Sequence, residues 1–303
     1  MKRNVILLTV SFEHLHFAAF VCSILGRSAS DLFDIVIASD DPRIKPLTPK
    51  NATFLYLKDV QFWKELSASN RYPYFVYLKF PAIEILSHKY DKILYLDNDI
   101  FIATPLIGDI FEIDLKKYAL AAVRDSQQRF NYKRYVNDFK LNGFDQAEYF
   151  NSGVLLISCS VWKQLDCSIK LKEATKYPYS SILFDQTLLN LTFHKRWLEL
   201  SPAWNWMESP LLNLFGDYMG VRLIHQKSWQ RKPSRVSYRF VHEYNGFIKN
   251  SKHFHEKDFI SVCRKDLLQG FLHSLILNLR WFYQAKKWIM RFSHDLDTKE
   301  PDL

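Results

Sequence analysis

An α/β fold built on one doubly wound, mainly parallel sheet is predicted by three observations. Short β-branched and apolar runs recur through roughly the first 200 residues, segments of helical spacing separate them, and each run reads as a buried strand. Strands covered by helices on both faces are near-continuous apolar runs, and their alternation with helices builds parallel sheets.

In chain order, residues 4–10 are the first strand. The start is basic, Met1-Lys2-Arg3, then apolar. The apolar run is short and meets Ser11-Phe12-Glu13-His14 without a small-residue cleavage site, so it reads as a strand and not a targeting segment. Residues 15–27 carry helical spacing, and 34–38 and 53–57 are the next strands. Residues 74–88 are helical, 92–97, 118–123 and 153–157 are strands, and 160–175 are helical. From about residue 205 the pattern loosens. Residues 225–258 hold Arg231, Lys232, Arg235, Arg239, Lys249, Lys252 and Lys257 among aromatics, and read as a long functional loop followed by helices. Residues 265–292 are helical and aromatic, and the polar end, 293–303, is expected to be disordered. No stretch reaches transmembrane length without a charge.

Composition narrows the function classes. A chain of 303 residues, 48% hydrophobic, suffices for one large domain with an appendage. With 8 Gly and no Gly-rich phosphate loop, neither a P-loop nor a dinucleotide fingerprint is present. Cys22, Cys159, Cys167 and Cys263 show neither zinc-type spacing nor the density of a secreted scaffold, which points to a reducing compartment. The net charge of +9 asks for an anionic partner: nucleic acid, an acidic membrane or a phosphorylated substrate. No stacking-sheet or recognition-helix motif supports nucleic acid.

The chemistry centres on Ile93-Leu94-Tyr95-Leu96, which runs into Asp97-Asn98-Asp99 and returns to Ile100-Phe101-Ile102. Buried carboxylates pair, protonate or bind metal. At spacing i, i+2 both leave a strand on one face and can grip a hard divalent ion with a diphosphate. The plain alternative is a pair of solvated turn residues. The flanks place the pair at the mouth of a sheet, where open α/β folds bind ligands. Asp125, after Ala121-Ala122-Val123-Arg124, ends another strand and is read either as a sugar contact or as a surface acid.

Four segments then fall in order: Tyr95-Leu96-Asp97-Asn98-Asp99, Phe150-Asn151-Ser152-Gly153-Val154-Leu155-Leu156, Phe184-Asp185-Gln186-Thr187-Leu188-Leu189-Asn190, and Ile224-His225-Gln226-Lys227-Ser228-Trp229-Gln230-Arg231-Lys232-Pro233. Over roughly residues 4–235 the chain resembles the retaining glycosyltransferases of family eight, similar to the bacterial lipooligosaccharide galactosyltransferases and, more distantly, glycogenin. The resemblance implies a GT-A fold: a single Rossmann-like mixed sheet flanked by helices, here with a helical C-terminal extension. The catalytic domain would span 1–258, followed by a basic aromatic helical region at 259–292 and a disordered tail at 293–303.

The resemblance also implies a UDP-glucose or UDP-galactose donor with Mn²⁺ or Mg²⁺, and a glycan or glycolipid acceptor, in lipopolysaccharide or lipooligosaccharide synthesis. Carried over by position, Asp97, Asp99 and His225 would be metal ligands. Lys232 or Arg231 would hold the β-phosphate. The family spaces its lysine six residues after the histidine, which lands on Arg231, and one inserted residue reconciles the Lys-Pro pair. Asn151 and Asp185 would contact donor-sugar hydroxyls, and Gln186 would lie at the anomeric carbon, so Asp185 and Gln186 are the catalytic candidates. An amide is a feeble nucleophile, which favours a front-face route. Lys79 stands for the family's arginine, keeping the charge but losing the bidentate fork. Ser11-Phe12-Glu13-His14 replaces the Asp-x-Asn-Tyr that reads the base, leaving His14 to stack on it, and Ser228 replaces a glycine.

Plainer readings stand beside these. His225 can be a polar loop histidine, Asp185 a helix N-cap, and Asn151 part of a turn into a strand. In the C-terminal region Arg280, Lys287 and Arg291 share one helical face beside Trp281, Trp288 and Phe292. Such a helix suits an anionic membrane surface, with a helix packed on the core as the alternative. The expected location is cytoplasmic, peripheral on the inner face of a bacterial inner membrane. Rival functions are a catalytically inactive nucleotide-sugar-binding relative and an Asp-x-Asp phosphatase of the haloacid dehalogenase type; the latter wants Thr or Val where Phe101 stands.

Overall fold

The first strand, β1 (Asn4–Thr9), is buried on both faces, and its side chains divide between two cores with a period of two. Val5 and Leu7 join one core and Ile6 and Leu8 the other. That double burial places β1 in the interior of the sheet. This is a computed structural model that describes residues 3–27, 31–68, 74–104, 106–125, 149–176, 184–207, 222–225, 238–255 and 298–299.

Seven further strands complete the main sheet: β2 (Phe33–Ser39), β3 (Thr53–Tyr56), β4 (Lys92–Leu96), β6 (Leu120–Arg124), β7 (Phe150–Ser158), β8 (Leu198–Leu200) and β11 (Thr298–Lys299). Their order is β11-β8-β6-β7-β4-β1-β2-β3. β3, β2, β1 and β4 are parallel, as the alternation predicts. Beyond β4 one long strand departs from that sense: β7 pairs antiparallel with both β4 and β6, while β6 and β8 pair parallel with each other, so the sheet is mainly parallel with β7 and the short β11 reversed. A strand buried on both faces carries the same apolar run in either direction, so periodicity is silent about its sense. The mixed sheet that the family resemblance implies is what forms.

On one face lie α2 (Gln61–Ala68), α3 (Lys79–Ser87), α4 (Cys159–Gln164), α5 (Cys167–Ala174) and α6 (Phe184–Thr192), and on the other α1 (Leu15–Leu25). The predicted helix over 160–175 is two helices, broken where Asp166 takes a left-handed conformation at φ 50°. Within residues 225–258, expected to be a long loop followed by helices, the described helix is α7 (Tyr238–Asn250). Its apolar positions Val241, Tyr244, Phe247 and Ile248 recur at helical spacing, and they pack on Phe17, Phe20 and Phe101. The charges between them obscure that period.

Of the end expected to be disordered, Thr298–Lys299 pairs antiparallel with β8, giving partners to an otherwise open edge. The rest of that end and residues 259–292 lie outside the described residues. Cys22, Cys159 and Cys167 are free and buried, and burial pushes each thiol up to about 12. Among the described residues no helix is long and apolar enough to cross a membrane.

A second, three-stranded sheet stands at the carboxyl edge of the first, in the order β5 (Ile100–Ile102), β10 (Leu223–His225), β9 (Trp206–Met207). It forms because the chain turns at Asp97-Asn98-Asp99 after β4 and re-enters extended structure at once. Residues more than 100 apart in sequence are thereby brought to one edge.

Candidate active site

Strand register assembles the site. β10 runs antiparallel to β5 with His225 opposite Ile100, the residue after Asp99, and the His225 Nε2 lies 3.3 Å from Asp99 Oδ1. Asp97, Asp99 and His225 each offer one ligand atom, all within 4.8 Å of one another. Two hard carboxylate oxygens and one imidazole nitrogen suit a divalent ion such as Mn²⁺. His225 is 5% exposed, and its ring lies against Gly153. A Cβ at residue 153 would stand 2.4 Å from His225 Cε1 and 2.9 Å from Nδ1, so glycine is required there by the approach of the ring.

Asp97 is held from below. Its N–H donates to the Gly153 carbonyl at 2.8 Å, continuing the β4–β7 ladder. The Tyr95 hydroxyl donates to Asp97 Oδ1 at 2.6 Å, and its oxygen lies 3.3 Å from the Thr9 hydroxyl, which must then be the donor of that pair. Asn98 donates its amide to the Thr9 carbonyl at 2.9 Å, tying the acidic turn to the end of β1.

Lys79 opens α3 only 1% exposed, with its ammonium 2.7 Å from Asp185 Oδ2, 3.5 Å from Asp97 Oδ1 and 4.3 Å from the centre of the Tyr95 ring. Burial works against its charge, but Asp185 and Asp97 outweigh it and hold the ammonium well above its ordinary range. Burial raises the Asp97 carboxyl above its usual value, Lys79 opposes that rise, and Asp99 adds to it. A divalent cation would stabilise the ionised pair in the same way. Lys79, expected from the resemblance as a substrate-binding cation, also bridges the acidic turn and α6.

Beside the acidic turn is a buried amide and carboxylate cluster. Asn151, at the start of β7, donates Nδ2 to Gln186 Oε1 at 2.8 Å and to Asp125 Oδ2 at 3.3 Å. Gln186 Oε1 also accepts the Ser152 N–H at 3.2 Å, and Gln186 Nε2 donates to Asp125 Oδ2 at 3.0 Å. Asp185 accepts from Ser152 Oγ at 3.0 Å. α6 is docked on β7 through its last turns by Asn190, whose amide accepts from the Phe150 N–H at 2.8 Å and donates to the Phe150 carbonyl at 2.9 Å, as a neighbouring strand would. Asp125, read from sequence as either sugar contact or surface acid, is 3% exposed and belongs to the cluster. Beneath it, Arg124 and Glu199 form a buried bidentate pair, Nε to Oε1 at 2.9 Å and NH2 to Oε2 at 2.5 Å.

His14 stands after β1 at the same carboxyl edge. Its Nδ1 lies 2.7 Å from Ser11 Oγ and its ring centre 5.2 Å from that of Phe75. Burial pulls its pKa below 6.5, and nearby Glu13 partly opposes this. Arg231 and Lys232 lie outside the described residues.

The structure therefore brings together Asp97, Asp99, His225, Lys79, Asn151, Asp125, Asp185 and Gln186. The sequence reading missed Tyr95, Ser152, Asn190 and Asn205. Asn205 sits between Trp204 and Trp206, and a polar residue inside a buried aromatic stretch is the signal that marks it.

Residues 32–250 match the profile of the family described as Glycosyl transferase family 8. The glycosyltransferase GlyB of Streptococcus pneumoniae serotype 4 is 37% identical over 119 residues, 39% of this chain and 26% of that protein. The lipopolysaccharide 1,3-galactosyltransferase of Salmonella typhimurium is 29% identical over 168 residues, 54% of this chain and 48% of that protein. The matched part of this chain spans a quarter to a half of those relatives' own lengths. The solved galactosyltransferase LgtC, in complex with donor and acceptor sugar analogs, superposes with a TM-score of 0.61 at 18% identity, covering 84% of this chain and 98% of that one. That likeness shows a GT-A fold. With the profile matched over most of its length, this chain belongs to glycosyl transferase family 8.

Proposed function

We propose that this chain is a metal-dependent, retaining hexosyltransferase that moves glucose or galactose from a UDP-sugar to a lipopolysaccharide, lipooligosaccharide or other surface-glycan acceptor. The observation that carries the proposal is the meeting of two chemistries at one sheet edge. Ligand atoms of Asp97, Asp99 and His225 lie within 4.8 Å of one another, and the buried cluster of Asn151, Asp185 and Gln186 adjoins them. Relatives named lipopolysaccharide 1,3-galactosyltransferase and lipopolysaccharide 1,2-glucosyltransferase support the acceptor class and leave both hexoses open.

Asp97, Asp99 and His225 would hold Mn²⁺ or Mg²⁺, which when bound supplies Lewis acidity to the departing diphosphate. Lys79 holds Asp185 and Asp97 in place through its buried ammonium. Gln186 is pinned at both ends of its amide, Oε1 by Asn151 and Ser152 and Nε2 by Asp125, so it serves as a fixed dipole and not as a swinging nucleophile. This supports the front-face route. The anomeric carbon–phosphate oxygen bond breaks with its electron pair leaving on UDP, the acceptor oxygen bonds that carbon from the same face, and its proton passes to the departing phosphate oxygen. Dipoles from Asn151 and Gln186 and the carboxylate of Asp185 stabilise the positive sugar ring. His14 supplies an aromatic surface for the base, and Arg231 or Lys232 a cation for the β-phosphate.

The test is UDP release from a panel of UDP-sugars, with Mn²⁺ or with chelator, on the wild-type chain and Asp99→Ala. Slow hydrolysis of one donor, abolished by chelator and by the substitution, is expected. Donor binding without turnover would favour the inactive relative, and no donor binding would reject the proposal.

A further inference from the structure

We infer that Asn205 is a positioning residue that sets the tautomer of His225 and couples it to the amides beside the acidic turn. Asn205 follows the turn Pro202–Trp204 and is 1% exposed. β9 begins at the next residue and runs parallel to β10, with Met207 opposite His225, which sets Asn205 beside the imidazole. His225 Nδ1 is 3.1 Å from Asn205 Oδ1, and Asn205 Nδ2 is 2.7 Å from Asn151 Oδ1.

The polarity of this chain is not arbitrary. The Gly153 N–H, which can only donate, points at Asn151 from 3.0 Å, so the Asn151 atom that receives it is oxygen. The Asn205 atom facing that oxygen must then be its NH₂, and the other Asn205 atom must be its carbonyl oxygen. That oxygen cannot donate, so His225 Nδ1 carries the proton. A second backbone donor, the Ser152 N–H, fixes Gln186 Oε1 as an acceptor and orients the Asn151 amide in the same sense. When the ring is neutral, the remaining imidazole nitrogen, Nε2, keeps its lone pair and faces Asp99 Oδ1 across 3.3 Å. Two lone pairs so placed repel unless a proton or a metal ion stands between them, and the second case is the arrangement of a metal ligand whose far nitrogen is held by a carbonyl.

The inference rests on the metal-dependent reading, and two measurements separate their failures. The first is the side-chain ¹⁵N spectrum of His225 in the metal-free full chain. The expected signature is an Nδ1–H imidazole in the wild type and in Asn205→Asp, which keeps the accepting oxygen, and its loss in Asn205→Leu. The second is Mn²⁺ affinity of the full chain, read from the signal of free Mn²⁺. Asn205→Leu should bind roughly 10–100-fold more weakly, the usual loss when such an outer partner is removed, while Asn205→Asp, which keeps the oxygen facing Nδ1 but loses the donor to Asn151, should fall between the two. An Nε2–H imidazole in the wild-type protein would overturn the inference whatever the metal does, and remains decisive if Asn205→Leu fails to fold. Wild-type Mn²⁺ affinity in Asn205→Leu would overturn it as well. Equal Mn²⁺ binding by wild type and Asp99→Ala would instead reject the metal reading, leaving the tautomer result to judge Asn205 alone.

Discussion

At residue 153 the side chain is a single hydrogen because the His225 ring occupies the space where a Cβ would stand. Gly153→Ala should push the imidazole off the acidic turn and also crowd Asn151 Oδ1, 3.0 Å from the added carbon. Mn²⁺ titration should show a loss of affinity on the order of 10-fold or more, as for other disturbances around a metal ligand, with the sheet still folded. His14 gives a residue-scale prediction in pH. Burial lowers its folded pKa below 6.5, so the unfolded chain binds that proton more readily. Stability is therefore retained above about pH 6.5 and lost as pH falls through that value toward the folded pKa. Thermal melts at pH 7.5 and 5.5 should show a smaller acid-induced drop for His14→Gln than for wild type, at about those pH values.

Among the described elements, α7 is attached through a small, largely aromatic cluster. Tyr244 is fully buried, stacked on Phe17 at 5.2 Å and edge-on to Phe20 at 5.3 Å, with Ile248 beside it. Both phenylalanines lie on α1, so α7 clamps the helix that follows the His14 turn. Tyr244→Ala should cost about 3–5 kcal/mol if α7 stays docked, the range for removing a buried aromatic ring, and less if α7 detaches. Hydrogen exchange separates the two, since detachment would expose the amides of α7 alone. The same logic explains why α6 holds its place: Asn190 satisfies both backbone groups of Phe150, fixing Asp185 and Gln186 against β7.

For the whole molecule, the question is where a chain of net charge +9 works. A surface-glycan acceptor carried on lipid would place the enzyme at an anionic membrane. In sequence, residues 259–292 include Arg280, Lys287, Arg291, Trp281 and Trp288, a basic and Trp-rich composition suited to it. The full chain should cosediment with vesicles containing anionic lipid, less so at high salt, and a chain ending before residue 265 should not. Unchanged binding after that truncation would move the contact to the residues before 265.

The sequence by itself determined β1, β2, β3, β4, β6 and β7 of the main sheet to within a few residues, because burial on both faces leaves an apolar run that turn residues interrupt, whereas β8 and β11 are too short to leave one. It also determined the acidic turn, since two carboxylates after such a run have no packing role, and the family motifs carried His225, Asn151, Asp185 and Gln186. Only the tertiary structure decided the direction of β7, the docking of α7 and the membership of Asn205, Asp125 and Tyr95 in the site. The physical reason is range. Periodicity reports which faces are buried, whereas the polarity of the amide chain and the meeting of His225 with Asp99 depend on pairing between strands more than 100 residues apart.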